Sequence, residues 1–385
     1  MRQVIGFAVA LLLTGCDSQT VKLYTNLPKD QNVLFWTVDQ RDAAFRQMEK
    51  LVDVNSIAAG GTVRELPQGT PIKLSLDMDA YMKSQRNSGL IILQDGKVRF
   101  EKYALDYDAK GRWTSFSVAK SFTSTLVGAA VKDGHIKSLD DKVTVYIPDL
   151  KGSAYDDVSV RQLLTMTSGV AWNEDYTDPK SDVALFNTHK AEPGVDVTVS
   201  YMRKLKREAP AGSKWVYKTG ETNLIGVLVS SATKKTLSAY LSEKVWKPFG
   251  MEQEAIWMLG STGHEISGCC ISATLRDYGR LGLFIAGGGV VNGKSIFPAD
   301  WLSQATTKQA DIEVPGKGYG FQWWTYDDRS FAAQGIFGQG IFIDPVRKLV
   351  IASNGNWPTA TDPEGVGAER EAFYKAVQAA IDAGQ

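Results

Sequence analysis

Arg112-Trp113-Thr114-Ser115-Phe116-Ser117-Val118-Ala119-Lys120-Ser121 is the stretch on which the reading of this chain turns. Its first half has the aromatic and β-branched character of a strand. From Ser117 to Lys132 the sequence becomes rich in Ala, Val and Leu, the pattern of a buried helix, and Gly134 is placed to close it. Ser117 therefore stands where strand gives way to helix, at the floor of a prospective cleft. Positions i and i+3 share a helix face, so Lys120 would bring its amine beside the Ser117 hydroxyl. Burial there would lower the lysine's pKa and let it accept a proton, which is how a serine nucleophile is activated. The Ser-x-x-Lys spacing alone proves little. It recurs at Ser231-Ala232-Thr233-Lys234, at the end of a helical segment beside Lys235, where it reads as solvated surface. A serine at a helix start is also a favoured N-cap.

On the N-terminal side, Thr37-Val38-Asp39-Gln40 reads as a capping box, followed by Ala43, Ala44, Phe45, Met48, Leu51 and Val52 at helical spacing. The run from Gly89 to Phe100 sets Asp95-Gly96 between two strand-like segments, the signature of a β-hairpin. Residues 135–250 carry helical and loop signals. Strand signals return at Gly340-Ile341-Phe342-Ile343-Asp344 and at Lys348–Ser353, around Pro345, and 367–382 reads as a closing helix. Strands at both ends with helices between them predict an α/β chain of the α+β type, with one mixed sheet completed by the C-terminus beside a helical lobe. The expected division is an α/β lobe from 34–118 and 251–385 and a mostly helical lobe from 119–250, together one domain.

The first residues have their own pattern. Met1-Arg2-Gln3 precedes the apolar run Val4–Leu13 and then Thr14-Gly15-Cys16, a secretion signal too short to span a membrane as a stable helix. Leu13-Thr14-Gly15-Cys16 looks like a bacterial lipobox, so residues 1–15 are expected to be a lipoprotein signal peptide and Cys16 the lipidation site. The alternative is a plain secretion signal with an incidental cysteine. Acyl chains on Cys16 would hold the enzyme at a membrane, on the periplasmic face within the bacterial cell envelope, with polar residues 16–33 as a tether. Asp17 resembles the signal that retains enteric lipoproteins at the inner membrane.

Composition excludes several classes. The formal net charge is zero and charged residues make up 22%, so the chain offers no positive field for nucleic acid. His135, His189 and His264 lack metal-ligand spacing, and no Walker or dinucleotide fingerprint occurs, so neither metal nor cofactor is expected. There is no Gly-x-Ser-x-Gly elbow of the α/β-hydrolase type. Cys269 and Cys270 are adjacent, and the ring that joins such neighbours is strained, so they are expected as two small buried thiols. Nothing in the sequence sets an oligomeric state.

Taken with Ser138-Leu139-Asp140-Asp141-Lys142-Val143, with Val160–Gly169 (Val-Arg-Gln-Leu-Leu-Thr-Met-Thr-Ser-Gly) and with Ala273-Thr274-Leu275-Arg276-Asp277, the Ser117 segment resembles the serine β-lactamase and penicillin-binding superfamily. The resemblance covers about residues 35–380 and falls in the class C, esterase and nylon-oligomer-hydrolase branch. It implies a β-lactamase/transpeptidase-like fold, with an antiparallel sheet flanked by N- and C-terminal helices and an inserted, mostly helical lobe. It implies that Tyr217, in Tyr217-Lys218-Thr219-Gly220, relays protons between Ser117, the leaving group and water. Thr219 stands where β-lactamases carry asparagine, which weighs against β-lactam or peptide recognition. The third family motif corresponds best to Gly338-Gln339-Gly340, which would bind substrate along a strand edge. Ile341 would then supply the N–H that joins the Ser117 N–H in an oxyanion hole. The lysine many relatives carry in that motif is missing, which shifts the expectation toward an esterase or amidase. Trp172 and Tyr176 lie in a polar, acidic stretch where relatives carry substrate-contacting loops; the acidity either favours an amino-bearing substrate or is simply solvated. The expected activity is acyl transfer on a small-molecule ester or amide. The alternatives are a D,D-peptidase or β-lactamase and a membrane-tethered, non-catalytic sensor.

Overall fold

The computed structural model describes residues 25–385. The expected signal peptide, the lipidation site Cys16 and the first part of the expected tether lie outside the described residues. The tether's later part does not hang free: Leu27 and Val33 pack against the main core, and Trp36 Nε1 donates to Asp30 Oδ1 at 3.0 Å. Its boundary at residue 33 was therefore set too late, because a short polar run with two apolar residues does not reveal that those two are buried.

The Thr37 capping box forms, with Gln40 N donating to Thr37 Oγ1, but the helix it starts ends at Ala44 and a short 3-10 turn at Met48–Lys50 follows. Phe45, just past the helix, packs edge-on against Trp113 and Phe116 with ring centroids 5.8 and 4.9 Å apart. Such edge-to-face pairs contribute about 0.5–1.5 kcal/mol beyond their buried area. They clamp the residues that lead into Ser117.

The strands are β1 (Val54–Ile57), β2 (Asn87–Gln94), β3 (Lys97–Tyr103), β4 (Trp113–Thr114), β5 (Ala255–Met258), β6 (Ile271–Ala273), β7 (Val290–Val291), β8 (Lys294–Ser295), β9 (Lys317–Tyr319), β10 (Trp324–Tyr326), β11 (Phe331–Gly335), β12 (Gln339–Asp344) and β13 (Leu349–Gly355). Seven of them form one sheet in the order β3-β2-β13-β12-β11-β10-β9. The C-terminal strands thus complete a sheet begun by the β2–β3 hairpin. That hairpin turns at Asp95 (φ 49°) and Gly96 (φ 75°), both in the left-handed region that a two-residue turn of this hand requires. The expectation of a single mixed sheet needs correcting in two ways. Every ladder of the sheet is antiparallel, and a second antiparallel sheet, β1-β5-β6-β4, lies beside it. Strands of two to four residues are too short for alternation to show in sequence.

The Val366–Asp382 helix covers one sheet face, with Phe373, Tyr374 and Val377 packed on Leu90, Ile92, Phe342 and Ile351. The Leu275–Ala286 helix covers the other. Gly282 permits that approach, since a Cβ there would lie 2.3 Å from Val350 Cγ1. The core continues from this face, through Ile91 and Ile341, into the helical lobe at Phe122, Leu126, Leu224 and Leu228, so the two lobes share one core. The Ala119–Lys132 helix runs through its centre and is buried nearly all round, which is why its sequence shows no polar stripe. Its hydroxyls are satisfied by backbone: Ser121 Oγ donates to Gln322 O at 2.6 Å and Thr123 Oγ1 to Ser267 O at 2.8 Å.

Candidate active site

Ser117 lies in a 3-10 turn, Phe116–Val118, that feeds the buried helix, and Phe116 enters it with φ 43°. The i, i+3 spacing brings Lys120 Nζ to 3.0 Å from Ser117 Oγ. The same amine is 2.9 Å from Thr219 Oγ1 and 2.6 Å from Gly268 O. Lys120 is 1% exposed, and burial lowers its pKa to about 8, an effect that the negative charge of Glu174 partly opposes. At that value about a tenth of the molecules hold a neutral, proton-accepting amine at pH 7 and half at pH 8. By contrast, Ser231 donates to Tyr146 O at 2.7 Å, and Lys234 is the left-handed C-cap of the Thr219–Thr233 helix. The duplicate motif forms no site.

The Tyr217 ring centroid is 5.2 Å from Lys120 Nζ, and the Ser117 hydroxyl is near enough to the phenol to influence its titration. Burial, reinforced by Glu174, pushes the phenol's pKa far up, so Tyr217 stays protonated. Trp324 fixes the ring by stacking at 5.6 Å, with Tyr319 edge-on at 6.2 Å.

Ser117 stands where two cavities meet. One, of 490 Å³, is lined by Glu174, Tyr176, Tyr217, Trp324 and Arg370; the other, of 420 Å³, by Trp172, Tyr176, Thr219, Cys269 and Ile336. Trp172, Tyr176 and Thr219 therefore reach the cleft where the sequence placed them. Glu174, between the two aromatics, was read only as part of an acidic loop. It accepts hydrogen bonds from Trp172 Nε1, from Tyr176 OH at 2.8 Å, from Thr219 N at 2.9 Å and from Thr219 Oγ1. A carboxylate so fully engaged is not a free partner for a substrate ammonium.

Two assignments are corrected. Ile341 is inside β12, paired with Ala333 on one side and Ala352 on the other, and lines neither cavity, so its backbone belongs to the interior of the sheet. Neither Gly338, Gln339 nor Gly340 lines either cavity. Gly338 turns the chain at φ 92° against the Trp357 indole, and the Gln339 amide bridges Phe337 O and Gly355 O at 3.2 and 2.8 Å. Glycine density marks both a turn and a close approach, and here it marks the turn. The segment beside the nucleophile is Gly335, the last residue of β11, and Ile336, the first of the 3-10 turn that follows it. A Cβ on Gly335 would fall 2.6 Å from Ser115 O and 3.0 Å from Ser117 N, and Ile336 lines both cavities.

The cysteines are the other correction. Cys269 and Cys270 are joined in a disulfide at the wall of the 420 Å³ cavity, and the backbone accommodates the small ring with φ 126° at Cys270. The preceding residue, Gly268, is the one whose carbonyl accepts from Lys120. Among the described residues no group of three or more His, Cys, Asp or Glu side chains is placed to hold a metal ion.

A buried lysine one helical turn from a serine hydroxyl, with a tyrosine ring beside the amine and a cleft that serine and tyrosine both line, defines a serine acyl-transfer site. Residues 76–374 match the family model named Beta-lactamase, and the chain belongs to that family of serine hydrolases. A 6-aminohexanoate-dimer hydrolase of Paenarthrobacter ureafaciens is 28% identical over 305 residues, covering 75% of this chain and 76% of that one. A beta-lactamase of Pseudomonas fluorescens is 27% identical over 191 residues, 46% of this chain and 49% of the relative. A Bacillus anthracis structure described as a candidate 6-aminohexanoate-dimer hydrolase superposes with a TM-score of 0.79 at 20% identity, covering 89% of this chain and 95% of that one, and so shares its fold.

Proposed function

We propose that Ser117 attacks the carbonyl carbon of a small-molecule ester or amide and that the acyl-enzyme so formed is cleaved by water. The observation that carries this reading is the 3.0 Å contact between the Ser117 hydroxyl and a lysine amine whose pKa burial has lowered to about 8. Lys120 takes the hydroxyl proton, and the protonated Tyr217 phenol donates to the leaving alcohol or amine while Lys120 restores its proton. In the second half Lys120 deprotonates the water that attacks the acyl carbonyl. The N–H groups of Ser117 and Ile336 receive the oxyanion, Ile336 replacing Ile341 in that role. The mainly apolar and aromatic wall of the 420 Å³ cavity suits an uncharged chain on that side of the scissile bond, whereas the 490 Å³ cavity adds Lys317, Asp362, Arg370 and Glu371 to its aromatics and admits a polar group. Glu174 is taken up by four donors, which removes the reason to favour an amino-bearing substrate.

The test is intact-mass analysis after exposure to a fluorophosphonate, a p-nitrophenyl ester panel and benzylpenicillin. One phosphonyl adduct, mapped to Ser117 and absent from Ser117→Ala, together with ester turnover, is the expected result. A stable penicillin adduct or penicillin turnover would move the assignment to a D,D-peptidase or β-lactamase. No adduct with any reagent would leave the sensor reading in possession.

The sequence Leu13-Thr14-Gly15-Cys16 supports the further proposal that Cys16 is acylated and holds the enzyme on the periplasmic face of the inner membrane. Protein extracted from membranes should carry an acyl mass increment on Cys16. A Cys16→Ser chain found in the same membrane fraction as wild type would exclude the anchor.

A further inference from the structure

The catalytic amine has as many neighbours as it has ways to face them, so each must take its own. A neutral lysine amine offers two N–H donors and one lone pair. Around Lys120 Nζ stand Ser117 Oγ at 3.0 Å, Thr219 Oγ1 at 2.9 Å and Gly268 O at 2.6 Å. Gly268 O is a carbonyl and can only accept, so it fixes one N–H. The Thr219 hydroxyl could go either way: as acceptor it takes the second N–H, and as donor it takes the lone pair that Ser117 needs. Its own proton settles the matter, because Thr219 Oγ1 donates to Glu174 Oε1.

We infer that Glu174 is a positioning residue: by holding the Thr219 hydroxyl proton it forces Thr219 to accept from Lys120 and so leaves the lysine lone pair for the Ser117 hydroxyl. The carboxylate is well suited to the task. All four groups facing it are donors, the Trp172 indole, the Tyr176 phenol and both the N–H and the hydroxyl of Thr219, and a carboxylate has acceptors only. A carboxamide in its place would set its own NH₂ against one of those donors. The threonine in the second family motif thereby gains a function that an asparagine amide would not perform in the same way. The inference deepens the function proposed above and rests on Ser117 being the acylated nucleophile.

The charged and titratable groups facing this network are few. Lys120 is faced by Glu174 and Tyr217, and Glu174 by Tyr176, with Tyr217 and Tyr319 within its field. Cys269 and Cys270, on the neighbouring segment, are disulfide-bonded and do not titrate. Removing the Glu174 charge removes the influence that raises the Lys120 pKa. The ascending limb of activity, set by Lys120, must then move to lower pH even as the rate falls, a combination that loss of packing does not produce.

The experiment is steady-state hydrolysis of p-nitrophenyl acetate across pH by wild type, Glu174→Gln, Thr219→Val, Thr219→Ser and the Glu174→Gln/Thr219→Val double variant. Glu174→Gln should lower kcat about 10-fold, a part of the 10²–10⁴-fold that a positioned base supplies, with KM little changed. Its ascending limb of kcat/KM should shift to lower pH. Thr219→Ser keeps the hydroxyl and should retain most of the rate, and Thr219→Val should lose as much as Glu174→Gln. The double variant should be no worse than the poorer single, since both break one chain of bonds. An unmoved pH limb in Glu174→Gln, or additive losses in the double variant, would overturn the inference. Should Glu174→Gln fail to fold, the contrast of Thr219→Ser with Thr219→Val decides: equal rates in those two overturn it. Fluorophosphonate labelling of wild-type Ser117 separates the two levels. Labelling with these negative outcomes sinks the Glu174 role alone, and absence of labelling sinks the acyl-enzyme reading with it.

Discussion

Lys120→Met is expected to lower kcat/KM for an ester substrate about 10³-fold, within the range a positioned general base contributes, without unfolding the protein. Methionine matches the lysine stem in length and shape, so the packing of the Ala119–Lys132 helix persists while the amine is lost. The pH profile supplies the sharper test. An unperturbed lysine near 10.4 would be neutral in only about 0.4% of molecules at pH 8. Burial brings the Lys120 pKa to about 8, so half the molecules hold a neutral amine there. Wild-type kcat/KM should climb with pH through about 8 and level off above it, and the Lys120→Met residual should lack that ascent. The same shift has a sign for stability. The folded state binds fewer protons than the unfolded state between about 8 and the ordinary lysine range, so this group's contribution favours folding increasingly as pH rises through that window. Below it, the protein carries the cost of burying a charge. Lys120→Met removes that cost, and its Tm at neutral pH should equal or exceed that of wild type. A variant that loses activity only in proportion to a lowered Tm would contradict the catalytic role.

This trade of stability for chemistry bears on what the sequence could reveal. The Ser117–Lys120 pair was legible because helix periodicity is local: three residues along a helix is a distance in space as much as in sequence. The Asp95-Gly96 hairpin and the Thr37 cap were legible for the same reason, each being closed within a few residues. Glu174 was not, since its significance comes from Thr219, 45 residues away, and a single acidic residue in a polar loop carries no mark of the donors that will surround it. The Cys269–Cys270 bond went unread because general geometry disfavours it, and only the unusual backbone at Cys270 makes room. The proposed oxyanion donor, Ile336, lies five residues before the Ile341 that the sequence suggests. Gly335, Gly338 and Gly340 fall in one cluster, and sequence does not say which of them faces backbone and which turns the chain. The short strands of the second sheet were invisible for want of length.

The proposed Ile336 donor supplies the second large effect. Gly335→Ala is expected to lower kcat about 10²-fold or more with little change in KM. The added Cβ would meet Ser115 O at 2.6 Å and Ser117 N at 3.0 Å, and both are backbone atoms that cannot swing aside. The chain can relieve the contact only by drawing Gly335-Ile336 away from the turn that carries Ser117. The Ile336 N–H leaves the oxyanion with it, and loss of one such donor costs about 10²–10³ in kcat. Because the hole binds developing charge rather than the ground-state carbonyl, the loss should appear in kcat and in the rate of phosphonylation by a fluorophosphonate, whose tetrahedral oxygen seeks the same donors. Gly338→Ala offers the contrast. Gly338 has φ 92°, and a Cβ there would lie 2.4 Å from Trp357 Nε1, so the substitution should lower Tm. Gly338 itself lines neither cavity and its clash is with Trp357, in the wall of the 490 Å³ cavity, rather than with the turn that carries Ser117, so folded Gly338→Ala protein should phosphonylate far faster than Gly335→Ala, with any loss showing in KM. If instead Gly338→Ala loses kcat while Gly335→Ala keeps it, the oxyanion edge runs through Gly338–Ile341 after all, and Ile336 has no part in it.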